Sequence, residues 1–141
     1  MSDIKTFEDL QAWQACRELK LFVSRQIVPR FPNHEQFELT RQIKEAARST
    51  TANLAEGYGR YHHLDNHKFC SNSRGSCYEV LDHLITANDD GYIDEDQLDQ
   101  GRVLVNTAAK LINGYMNYLI KAAQSQRIQE IPDVEYTPIN Q

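Results

Sequence analysis

His63, His67 and Cys70 stand at i, i+4 and i+7, so a helix brings them within reach of one Zn²⁺, with His62 close enough to add to them. Three donors on a turn and a half of helix, with no fourth from a recognisable loop motif, fall short of a structural zinc site. A zinc hydrolase centred on them is the weakest of the functional readings. Between Thr86 and Gln97, residues Asn88, Asp90, Gly91, Ile93 and Asp94 match positions three, five, six, eight and nine of an EF-hand calcium loop. Positions one and twelve are Thr86 and Gln97, where calcium requires a carboxylate and a bidentate glutamate, and the same residues suit a helix stop, a turn and the next N-cap. No phosphate-cradling glycine loop, Ser/His/Asp arrangement or paired-cysteine metal motif occurs in the sequence. The chain is therefore read as not an enzyme, with no catalytic, cofactor or metal residues assigned.

Two other patterns point to binding. Arg41, Lys44 and Arg48 at i, i+3 and i+7 form a modest basic stripe suited to phosphates, with Glu38 and Glu45 at hand to pair with it on a solvated face. Ser49, Asn53, Glu56 and Arg60, with Gly57 among them, form a continuous polar stripe where a surface helix normally places apolar side chains. Its expected partner is the segment Arg74 to Glu79. Ser49 and Asn53 are expected to bond to Ser76 across the helix interface, and Glu56 or Glu79 to pair with Arg60. A satisfied polar network of this kind fixes helix register more than it adds stability.

Four helices must position these groups. Helix one is expected from Thr6 to about Val28, with a core stripe of Ala12, Cys16, Leu19 and Val23, before Pro29 and Pro32 break it. Helix two is expected from an Asn33 cap, with Gln36 as its capping-box partner, to about Gly59. Helix three runs from about Leu64 to Asn88-Asp89-Asp90-Gly91, where a left-handed stop is offered; Gly75 in its middle costs about 1 kcal/mol relative to alanine and points to close approach of another backbone. Helix four begins at Asp94 with Gln97 as capping partner and continues to about Gln124. Two adjacent apolar stripes run along it, Val105 to Ala123 and Leu104 to Ala122, an arc wider than one bundle face needs and so assigned in part to a subunit interface. The fold expected is all-α: an antiparallel up-down-up-down four-helix bundle over residues 1–124, with an irregular, non-helical C-terminal tail over 125–141.

Composition bounds the partners. The 141 residues make one domain able to bury roughly two-thirds of its unfolded surface. Apolar runs are too short for a membrane span, the N-terminus lacks a signal-peptide pattern, and three cysteines cannot all pair in one chain, so the cytoplasm is expected. Net charge is −5, yet residues 1–64 hold nine Lys/Arg against eight Asp/Glu, and residues 65–141 hold six against twelve. An acidic chain binds polyanions through a local patch or not at all.

The strings Ser49-Thr50-Thr51-Ala52-Asn53-Leu54-Ala55-Glu56-Gly57 with Arg60, and Arg74-Gly75-Ser76-Cys77-Tyr78-Glu79, occur together with Trp13, Phe31-Pro32, Phe37, Leu39-Thr40, Gln42-Ile43, Ala46 and Gly91-Tyr92. In combination they resemble the bacterial four-helix-bundle family of 23S rRNA intervening sequences, related to the accessory variability proteins of diversity-generating retroelements. The chain departs from that pattern at Thr51, where the family usually carries proline, and in its acidic balance. The resemblance implies a homopentameric scaffold whose partner is structured RNA, DNA or a reverse-transcriptase-type nucleoprotein. The alternative is a protein-interaction or purely structural homo-oligomer that never binds nucleic acid.

Overall fold

Apolar side chains recurring every three or four residues draw four helices around one core. The computed structural model describes residues 3–133, with side chains through residue 126. Its long elements are α1 (Gln11–Phe22), α2 (Leu39–Tyr58), α3 (His63–Asp89) and α4 (Glu95–Asp133). Each packs on its neighbours in the chain, and α4 closes against α1, which is the up-down-up-down arrangement the sequence predicts. Leu19, Ile43, Leu54, Val80, Leu84, Val105 and Ile112 are essentially solvent-free. Each contributes about 1.5–3 kcal/mol of burial. Cys16, Cys70 and Cys77 are buried free thiols, and desolvation pushes Cys70 up to about 12, so it stays protonated.

Several helix ends differ from expectation. Helix one is not continuous: a 3-10 turn over Phe7–Asp9 precedes α1, and a π turn over Val23–Ile27 and a 3-10 turn over Val28–Arg30 follow it. Pro29 has no N–H to return to the fourth carbonyl before it, and the wider turn keeps both Val23 and Ile27 in the core. Helix two does not start from an Asn33 and Gln36 capping box. Asn33–Glu35 form a 3-10 turn, and the first N–H of α2, on Leu39, goes to the Glu35 carboxylate at 3.1 Å. That carboxylate is held in turn by the Tyr92 hydroxyl at 2.7 Å.

At the other helix ends local chemistry prevails. Gly91 takes a left-handed φ of 80° just after α3, and Asp94 and Gln97 exchange side-chain-to-backbone bonds at 2.9 and 3.1 Å ahead of α4. Within the EF-hand-like stretch Asn88 bonds to Glu95 at 2.8 Å, so these residues serve as stop, turn and cap. Helix α4 continues to Asp133, past the expected end at Gln124. Residues 125–133 are thus helical, because Ala122, Ala123, Gln124, Gln126, Arg127, Gln129 and Glu130 are strong helix formers with no glycine among them. The rest of the expected tail, 134–141, lies outside the described residues.

The broad apolar arc of α4 is largely spent inside the chain. Val105, Ala108, Ala109, Ile112, Met116 and Leu119 are buried, and Leu104, Leu111 and Tyr115 are half-buried against the same core. Tyr118 alone of the two stripes' large side chains stays exposed, at 43%.

Candidate functional site

The two sides of α2 carry different chemistry. Lys44, Arg48 and Thr51 lie at i, i+4 and i+7 on the side turned to α1, where the Lys20 ammonium donates to Thr51 Oγ1 at 3.2 Å. The Thr51 hydroxyl itself donates to the Arg48 carbonyl at 3.2 Å. A proline at this position would supply neither bond. Arg41 donates to the Phe37 carbonyl just ahead of α2 and pairs with Glu45 one turn on at 3.2 Å. Among the described residues neither Lys44 nor Arg48 is paired with a carboxylate. Of the expected stripe, Arg41 is thus paired with Glu45 while Lys44 and Arg48 are not, and Lys20 extends their line onto α1 through Thr51. Sequence reasoning missed that extension because the two helices are read separately along the chain.

The other side of α2 meets α3. Ser49 Oγ and Ser76 Oγ bond across the interface at 2.8 Å, as the polar stripe predicts. Asn53 does not cross: its amide donates back to the Ser49 hydroxyl and carbonyl at 2.8 and 2.9 Å, orienting the serine. Arg60 pairs with Glu56 at 2.7 Å and lies over the Phe69 ring at 4.6 Å. Glu79 pairs with His83 one turn on, at 3.4 Å, rather than with Arg60, because it sits more than ten residues further along α3 from the Arg60 end of the interface. Arg74 reaches Asn113 on α4.

The close approach expected at Gly75 occurs elsewhere. A Cβ on Gly75 would meet nothing within 4 Å, whereas one on Gly57 would lie 2.5 Å from Asn66 Oδ1 and 2.9 Å from Phe69 Cβ. The buried polar groups that register the helices also include Thr50 and Ser73, neither assigned from the sequence: the Ser73 hydroxyl donates to the Thr50 carbonyl at 2.7 Å. Their small size among apolar neighbours was the only available signal.

The histidine and cysteine trio divides. Cys70 faces the core and donates to Asn66 Oδ1 at 3.5 Å, His63 lines a surface cleft, and no group of three His, Cys, Asp or Glu able to hold a metal occurs among the described residues.

Fold and interface together define the class: an all-α four-helix bundle whose second and third helices are registered by small polar side chains. The chain belongs to the 23S rRNA-intervening sequence protein family, whose sequence profile matches residues 8–114, a span that includes the α2–α3 interface and the basic stripe. No curated protein matches it. No helix of the described residues is long and apolar enough to cross a membrane.

Proposed function

We propose that this protein is a non-enzymatic, cytoplasmic helical scaffold that self-associates, as a pentamer, and docks on RNA or a nucleoprotein such as a reverse-transcriptase complex. The observation that carries the reading is the cationic line of Lys20, Lys44 and Arg48 along the α1–α2 side, with no carboxylate among the described residues answering its two α2 members. The family name, which ties the group to ribosomal-RNA intervening sequences, points the same way. The mechanism is electrostatic: each phosphate met by a Lys or Arg releases counterions, and copies in an oligomer multiply weak contacts.

The test is equilibrium binding of a labelled structured RNA across a salt series. Affinity is expected to fall with salt, and the triple variant Arg41→Ala, Lys44→Ala, Arg48→Ala to bind more weakly with a shallower slope, by about 0.7–0.9 for each phosphate no longer neutralised. Absence of salt-dependent binding overturns the reading in favour of a structural homo-oligomer. That second reading has its own observation: Leu64, Tyr78 and Ile85, 47%, 50% and 37% exposed, lie along the outward line of α3.

A further inference from the structure

Four of the seven tyrosines gather at one end of the bundle, where the α2–α3 turn meets α4. Tyr58, Tyr61, Tyr115 and Tyr118 line an open cleft of about 260 Å³ together with Arg60 and His63. In a chain of net charge −5, no carboxylate among the described residues lines this cleft. Glu56 pairs with Arg60 from the exposed face of α2, and the neighbouring surface hollows that share Tyr61, Tyr115 and Tyr118 carry Asp3, Asp9 and Asp65.

Two of the rings are fixed by contacts within the chain. Asn66, itself buried, donates to the Tyr115 hydroxyl at 2.9 Å, and the Tyr118 ring lies nearly parallel to that of Tyr115, with centroids 6.2 Å apart and planes 10° apart. Tyr118 keeps 43% of its surface in solvent. Tyr61 is 86% exposed and braced edge-on by His62 at 4.8 Å. Packing within the chain accounts for neither exposure. Flat aromatic faces beside a guanidinium are the surface on which unpaired nucleobases stack, and the stacking tolerates any base because every base has a π face. The cleft is smaller than the ~300–1,000 Å³ of sites built for whole cofactors, which suits one base and its sugar.

We infer that this cleft is a stacking site for an unpaired base of a single-stranded nucleic acid, with Tyr118 and Tyr61 as the platform and Arg60 positioned for the adjoining phosphate. The inference rests on the nucleic-acid reading above and deepens it, placing sequence-tolerant base contact at one end of α2 and phosphate contact along its α1 side. Arg48 and Tyr58 are ten residues apart on one helix. At 1.5 Å per residue that is about 15 Å, within the span of one short strand.

The experiment pairs anisotropy binding of a labelled oligouridine with photocrosslinking of its 5-iodouridine form. Tyr61→Ala and Tyr118→Ala are each expected to weaken binding about tenfold, with the salt slope unchanged because every cation that meets a phosphate is kept. Tyr61→Phe and Tyr118→Phe should bind as the parent does, and the crosslink should map to Tyr61 or Tyr118. If the parent binds RNA and the alanine variants bind it equally well, the stacking site is wrong and the scaffold reading stands. If the parent binds no RNA, both fall. An alanine variant that changes the oligomeric mass instead of the affinity also overturns the inference, since the cleft would then be covered by a second copy. Tyr61 is too exposed for its truncation to threaten folding, which keeps the test decisive.

Discussion

Gly57 and Gly75 occupy neighbouring helices under opposite constraints. Gly57 lies where α2 presses on α3, and a methyl group there meets the Asn66 side chain and the Phe69 Cβ, one of them fixed close to its backbone. Gly57→Ala is therefore expected to cost about 1–3 kcal/mol, read as a lower urea midpoint with unchanged slope. Gly75→Ala has open space around it and a helical backbone to stiffen, so it should gain about 0.5–1 kcal/mol in the same assay. Tyr92 supplies a pH-dependent prediction. Its hydroxyl, followed by the Leu39 N–H, holds the Glu35 carboxyl below its ordinary value of 4.5. A depressed carboxyl contributes stability that is present above 4.5 and lost as pH falls through the lower folded value. In melts from neutral to acid pH, the parent should exceed Tyr92→Phe at neutrality, and the gap should narrow once the pH drops below that point.

Helix ends show where sequence suffices and where it does not. The α3 stop at Gly91 and the Asp94–Gln97 box at α4 are set by residues within a few positions of each other, and both were legible. Asp94→Ala should accordingly cost about 1 kcal/mol, seen as a drop in melting temperature. The start of α2 was illegible because its anchor, Glu35, is fixed by a tyrosine on the loop after α3, a contact that no local pattern encodes. For the same reason Ser49 could be matched to Ser76 from two polar strings, while Asn53 folding back on Ser49 and Glu79 turning to His83 depended on side-chain directions that spacing leaves open. The cationic stripe was visible on α2 alone. Its continuation through Lys20 and the tyrosine cleft both arise from helices far apart in sequence.

For the whole molecule, the question is which surface remains to join copies together. The arc of α4 that looked excessive in sequence is occupied by the core, so the proposed self-association calls for another face. The exposed line of α3 offers one: Leu64, Tyr78 and Ile85 recur at multiples of seven residues, about 100° round the helix from the buried line of Cys70, Cys77 and Leu84. Gly75 lies on the same face with open space around it, and in the proposed assembly its missing side chain lets a second backbone come near. The expected consequence is that Tyr78→Glu lowers the molar mass measured by light scattering at matched concentrations, because it places an unpaired charge in a contact made by apolar side chains. Val103→Glu is the control on α4, 62% exposed and off this line, and should leave the mass unchanged. Gly75→Ala then has two effects of opposite sign: it stiffens the isolated helix yet crowds the junction, so unfolding resistance rises while association weakens. If the parent scatters as a single chain at every concentration, the exposed line of α3 joins no copies and the cationic residues act without avidity.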